Sequence, residues 1–143
     1  MKKILLILYL SCTLSILKSQ SITNNLKIDS SKIEILNKYL NIKYIYGGNN
    51  INRGIDCSYL TKLLYKDLFN LEIPRTSFLQ FKYFKNSNKS LDFGRLLFFK
   101  MKKKMVDHVG MYLGNNYFIH ASSKYKKVII CELNSNYLSK LIL

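Results

Sequence analysis

The sequence predicts an α+β domain, with helices packed on one side of a later antiparallel sheet. Three observations carry this expectation. Apolar residues recur at helical spacing in two early segments, at Ile33, Leu36, Tyr39 and Leu40 and again at Leu60, Leu63, Leu64 and Leu68. The second half holds short runs of strand length instead, over residues 96–99, 108–113, 117–121 and 128–133. Between the second and third of these, Gly114-Asn115-Asn116 is a hairpin signal. The 143 residues suffice for one domain with a core and are too few for two.

Each helix has a local start signal. Ser30-Ser31 can cap the first, with Glu34 as capping-box partner of Ser31, so a helix over about 31–40 follows. Tyr44-Ile45-Tyr46 is short, aromatic and β-branched, and Gly47-Gly48-Asn49-Asn50 breaks it. The loop leads through Gly54 into the second helix, which begins at Cys57. Pro74, the only proline, starts a turn, and Thr76 or Ser77 can cap a third helix ending near Phe84.

A net charge of +15 raises the question of nucleic acid. A nucleic-acid reader concentrates such charge in a basic patch interleaved with exposed aromatics. Here the lysines are scattered from end to end, with one short run at residues 100–104, so no nucleic-acid partner is expected. Attraction to an anionic cell surface or polymer is the simpler use of this charge. The amino terminus has the pattern of an export signal: Met1-Lys2-Lys3, an apolar run over 4–17, then Lys18-Ser19-Gln20-Ser21. The run is short for a membrane span. The organisation expected is a signal peptide over 1–20, a linker over 21–29 and one domain over 30–143, in the periplasm or cell envelope. Tyr9-Leu10-Ser11-Cys12 also resembles a lipoprotein signal, so membrane attachment by lipid at Cys12 is a second reading.

Cys57 and Cys131 then remain, and an exported chain with two cysteines invites a disulfide. A catalytic Cys57 requires the opposite. Its place in the first turn of a helix, where unsatisfied N–H groups and the helix dipole favour a thiolate, suits a nucleophile. Cysteine is equally a common buried residue. Neither a metal nor another cofactor is expected, because no CxxC occurs and two histidines with two distant cysteines lack ligand spacing.

The two histidines of the chain, His108 and His120, fall on the one predicted hairpin. With a three-residue loop at 114–116, Leu113 pairs with Tyr117, and His120 lies opposite Gly110 and diagonal to His108 on one face. A two- or four-residue loop without a bulge sends the rings to opposite faces. The Cys57 helix is the natural candidate to pack on the histidine face. Residue types alone leave packing and catalysis both open here.

Five ordered blocks decide between them: Tyr44-Ile45-Tyr46-Gly47-Gly48, Gly54-Ile55-Asp56-Cys57-Ser58, Ile73-Pro74-Arg75-Thr76-Ser77 with Gln80, His108-Val109-Gly110-Met111-Tyr112-Leu113-Gly114, and Phe118-Ile119-His120-Ala121. From about Ser30 onward the chain resembles the NlpC family of bacterial cell-wall cysteine peptidases. The resemblance implies a papain-like fold and cleavage of peptide bonds in peptidoglycan stem peptides, commonly between D-glutamate and the following diamino acid. By similarity Cys57 is the nucleophile, His108 its base and His120 the residue that orients His108. Tyr44 matches a tyrosine that positions or polarises substrate, and Asp56 and Ser58 match residues that contact the stem peptide in some relatives. An ion pair with His108 would keep the Cys57 thiolate populated. Asp56 opposes that, and is read as a contact to a substrate amine rather than a helix cap. Tyr59 departs from the family's usual glycine, Gly94-Arg95 from its Gly-Asp, and the 48–54 loop is one residue longer. The chain also ends short of the family's last strand, which would weaken the sheet edge. Alternatives of the same fold are an inactive wall-binding module and a papain-like amidase or acyltransferase. The first is disfavoured by the intact Cys57, His108 and His120, the second by the Tyr44 and Pro74 blocks.

Overall fold

The computed structural model describes residues 28–142 apart from 88, 89 and 103. The expected signal peptide, Cys12 and most of the expected linker lie outside the described residues. Helix α1 spans Ser30–Tyr39, one residue earlier than the spacing predicts. Its cap is Asp29, not Ser31: the Asp29 carboxylate accepts the Ser31 N–H at 3.3 Å. A carboxylate both fills an orphan donor and meets the positive helix end. Helix α2 spans Cys57–Phe69 and closes on Asn70 in the left-handed region at φ 50°. Helix α3 spans Ser77–Phe84 and is capped by Thr76, as expected.

Tyr44-Ile45-Tyr46 forms no strand. Tyr44 makes one parallel bridge to Ile55, and Lys43 one antiparallel bridge to Lys127. The loop that follows folds into its own small hairpin, β1 (Asn49–Asn50) on β2 (Gly54–Ile55). Gly48 is required at its base, where a Cβ would fall 2.5 Å from the Gly54 carbonyl oxygen.

The main sheet is antiparallel and contains β3 (Leu96–Phe99), β4 (His108–Gly114), β5 (Tyr117–Ser122), β6 (Lys127–Glu132) and β7 (Leu141–Ile142). Their order is β6-β5-β4-β3-β7. The β7 strand pairs with β3 through Phe98↔Ile142 and Phe99↔Leu141, so the edge expected to be weak is covered. A short helix α4 (Ser135–Leu138) precedes it.

The hairpin register matches the expectation by a different route. The turn has two residues, Asn115 and Asn116, both at positive φ, as the tight hairpin turn requires. Leu113 is then left out of register between Tyr112↔Phe118 and Gly114↔Tyr117. This bulge restores the frame that a three-residue loop would have set.

Alternation along the strands divides the core in two. Val109, Met111, Leu113, Ile119, Ala121, Leu96 and Phe98 pack with Leu36 and Tyr39 of α1 and Leu60 and Leu64 of α2. Leu97, Phe99, Tyr112, Phe118 and Leu133 make a second cluster with Tyr137 of α4. Helices therefore lie on both faces, although the three long ones share a side.

Candidate active site

Cys57 is the first residue of α2 and is buried. Apolar side chains of α2 anchor that end of the helix against the sheet, and Asp56 fixes where it starts. The Asp56 side chain accepts the Tyr59 N–H at 2.8 Å, so Asp56 is the N-cap. The expectation that it does not cap is corrected: an acidic residue directly before the first helical turn meets unsatisfied N–H groups.

Asp56 is also held from outside the helix. Arg75 donates to both carboxylate oxygens, at 3.0 and 2.9 Å, and to Ser58 Oγ at 3.0 Å. The same guanidinium reaches the carbonyl oxygens of Gly47 and Gly48 at 3.2 and 3.0 Å. Five acceptors thus tie the turn before β1, the α2 start and the turn before α3 together. Tyr59 stands beside this fork, with the guanidinium carbon 5.1 Å from its ring centre. The unusual tyrosine is therefore seated against Arg75. Beneath them the buried Gln80 donates to the carbonyls of Ser58 and Pro74 and accepts from Thr61 Oγ1 at 2.9 Å.

The β4–β5 partners run from Met111↔Ile119 to Gly114↔Tyr117, short of Val109. The Val109 N–H is directed at the Cys57 sulfur, with those of Ser58 and Cys57 itself. The thiol thus meets the sheet one residue past His108. Tyr44 lies near enough to the sulfur that charge on Cys57 raises the phenol's pKa after burial has done so.

His108 and His120 come together as the register requires. His108 Nε2 and His120 Nδ1 are 2.7 Å apart. Gly110 faces His120, and a Cβ there would lie 3.2 Å from His120 Cβ and 2.7 Å from Phe118 Cδ2. The face differs from expectation, however. Both rings sit with Phe99, Phe118 and Tyr137, on the side of the sheet away from α2. The side-chain period of two decides this: Val109 points to the helices, so His108 and Gly110 point away. Cys57 meets this strand through the backbone of Val109, the residue after His108 at the start of β4.

Burial governs the electrostatics. The Cys57 thiol is pushed up to about 11 by burial and then by Asp56, against the opposing N–H groups. Burial brings His108 down to about 4, with Asp107 opposing, and holds His120 well below the usual imidazole range, with His108 adding to the effect. Burial thus opposes the charged forms of the Cys57 thiol and of both imidazoles, against the ion pair that the helix dipole favours. Cys57 and Cys131 are both free, and no disulfide joins them. Among the described residues no group of three or more His, Cys, Asp or Glu side chains converges as metal ligands would, and no helix is long and apolar enough to cross a membrane.

A helix-start cysteine beside a sheet whose hairpin carries a bonded histidine pair defines a papain-like α+β domain. The sequence pattern of the NlpC/P60 family matches residues 41–143. The chain is 36% identical over 110 residues to a probable endopeptidase NlpC homolog of Haemophilus influenzae, covering 76% of this chain and 57% of that protein. It is 32% identical over 122 residues to the murein DD-endopeptidase MepS/murein LD-carboxypeptidase of Escherichia coli, covering 85% of this chain and 63% of that one. The crystal structure of an NlpC/P60 family protein from Bacillus cereus superposes with a TM-score of 0.65 at 32% identity, over 78% of this chain and 37% of that one. The chain belongs to the NlpC/P60 family. It spans about 60% of the length of the curated relatives just described.

Proposed function

We propose that this protein is an exported cysteine hydrolase that cuts peptide bonds in peptidoglycan stem peptides, with the D-glutamyl to diamino acid bond as its target. The observation that carries the reading is the 2.7 Å His108–His120 bond on a strand whose next residue, Val109, directs its N–H at the Cys57 sulfur. The Haemophilus and Escherichia relatives, named as an endopeptidase and a murein hydrolase, support the substrate class. The charged start and apolar run over 1–17 support export.

In this mechanism His108 takes the Cys57 proton as the sulfur attacks the amide carbonyl. Burial disfavours the charged form of both groups, which favours proton transfer concerted with attack. The tetrahedral oxyanion is met by the Cys57 N–H and the Tyr44 hydroxyl. Protonated His108 gives its proton to the leaving amine, and water then hydrolyses the thioester. His120 keeps the His108 tautomer fixed, as a third triad member does. Tyr44 and the polar cluster of Asp56, Ser58 and Arg75 line the substrate side of the sulfur. The test is digestion of purified muropeptides by wild type and Cys57→Ala, read by mass spectrometry. The wild type should yield new termini that identify the bond, and Cys57→Ala should yield none. Equal inactivity of both proteins would sink the reading.

A further inference from the structure

The face of the sheet away from α2 carries a thiol that this mechanism does not use. Cys131, the β6 partner of Phe118, has its sulfur 3.4 Å from His120 Nε2. The Tyr137 hydroxyl bonds the same sulfur from α4. Both ring nitrogens of His120 are therefore engaged, Nδ1 by His108 and Nε2 by Cys131. The ring plane is held as well, stacked on Phe118 at 4.8 Å and met edge-on by Tyr137 at 5.6 Å.

Two neutral imidazoles joined by one hydrogen bond share one proton in it, and the side it sits on sets their outer nitrogens. With the proton on His108 Nε2, His108 Nδ1 is bare and able to act as a base. His120 then carries its hydrogen on Nε2, which needs an acceptor. With the proton on His120 Nδ1 the order reverses, and His108 Nδ1 carries a hydrogen and cannot accept one. We propose that Cys131 is a positioning residue whose sulfur accepts the His120 Nε2–H while its own S–H turns to Tyr137 Oη. The bonds then run outward from His108 through His120 to Cys131 and Tyr137, and this direction leaves the base bare. Burial, which pushes the Cys131 thiol up to about 11, keeps it a neutral S–H rather than a second nucleophile. The assignment and its consequence for turnover both rest on the hydrolase reading; the 15N pattern is read without substrate and so is tested separately.

The experiment is imidazole 15N NMR on the full chain at neutral pH, with kcat and KM on muropeptides, for wild type, Cys131→Ala, Cys131→Ser and Tyr137→Phe. Wild type should show pyrrole-type Nε2 and pyridine-type Nδ1 at both His108 and His120. Cys131→Ala should average these signals and lower kcat roughly five- to tenfold at unchanged KM, about the worth of one hydrogen bond. Cys131→Ser, which keeps an acceptor, should restore both, and Tyr137→Phe should fall between. A wild-type His120 protonated at Nδ1 overturns the proposal. So does a Cys131→Ala protein in which either the 15N pattern or kcat is unaltered. A wild type inert on every muropeptide overturns the hydrolase reading and leaves the 15N result to decide the tautomers.

Discussion

Asp56 shows how one carboxylate serves three neighbours at once. It caps α2, holds Ser58 and receives the Arg75 fork. Its side chain is 12% exposed and that of Arg75 34%, so solvent screens part of the ion pair but little of the cap. Asp56→Ala should destabilise the fold by about 3 kcal/mol, since it removes the cap and leaves Arg75 without its carboxylate. Asp56→Asn, which still caps, should cost about 1 kcal/mol. Urea unfolding midpoints measure the difference, and equal midpoints for the two variants would refute the cap's share. The sequence made the residue types here legible, but not their partners. The role of Arg75 is invisible in the sequence because its five acceptors come from segments remote in the chain. The cap role of Asp56 was legible, since an acidic residue directly before a helical run is a cap signal.

At the scale of elements, the hairpin was legible and its face was not. Strand alternation places His108 and His120 together whatever covers them, so their pairing follows from register alone. Which layer lies above them depends on the rest of the fold. The turn also shows compensation: one residue fewer in the loop and one bulged residue at Leu113 give the same frame. β1, β2, α4 and β7 are too short to carry a period and, unlike the continuous apolar run of β3, left no signal. Gly110 is the sharpest test of the pairing geometry. Its added Cβ would lie 2.9 Å from the Ile119 carbonyl oxygen, a backbone atom that cannot move without opening the ladder. Gly110→Ala should therefore cost about 2 kcal/mol, in the range for overpacking. A thermal midpoint within a degree of wild type would refute this account of why glycine stands opposite His120.

Across the whole molecule, buried titratable groups set the pH range of stability. His108 falls from an ordinary 6.5 to about 4 in the fold, and His120 shifts the same way. An unfolded chain therefore binds more protons than the folded one as pH drops through this window. Stability present above pH 6.5 should be lost progressively toward pH 4, with about 3 kcal/mol from His108 alone. Cys57 acts at the other end: its thiol ionises near 9.0 when unfolded and about 11 when folded, so stability should decline as pH rises between those values. Urea midpoints across a pH series measure both limbs, and a midpoint flat from pH 7 to 4.5 would contradict the burial of the histidines. His108→Gln should flatten the acid limb.

The division of the core has a further meaning for how such a chain matures. The sulfur belongs to the cluster beneath α2, and the rings belong to the cluster beneath α4. No single helix or hairpin holds both: Cys57 opens α2, and the histidines stand on β4 and β5. A chain only half collapsed carries every one of these groups and no fixed arrangement of them. On the proposed function, activity therefore appears only with the completed sheet.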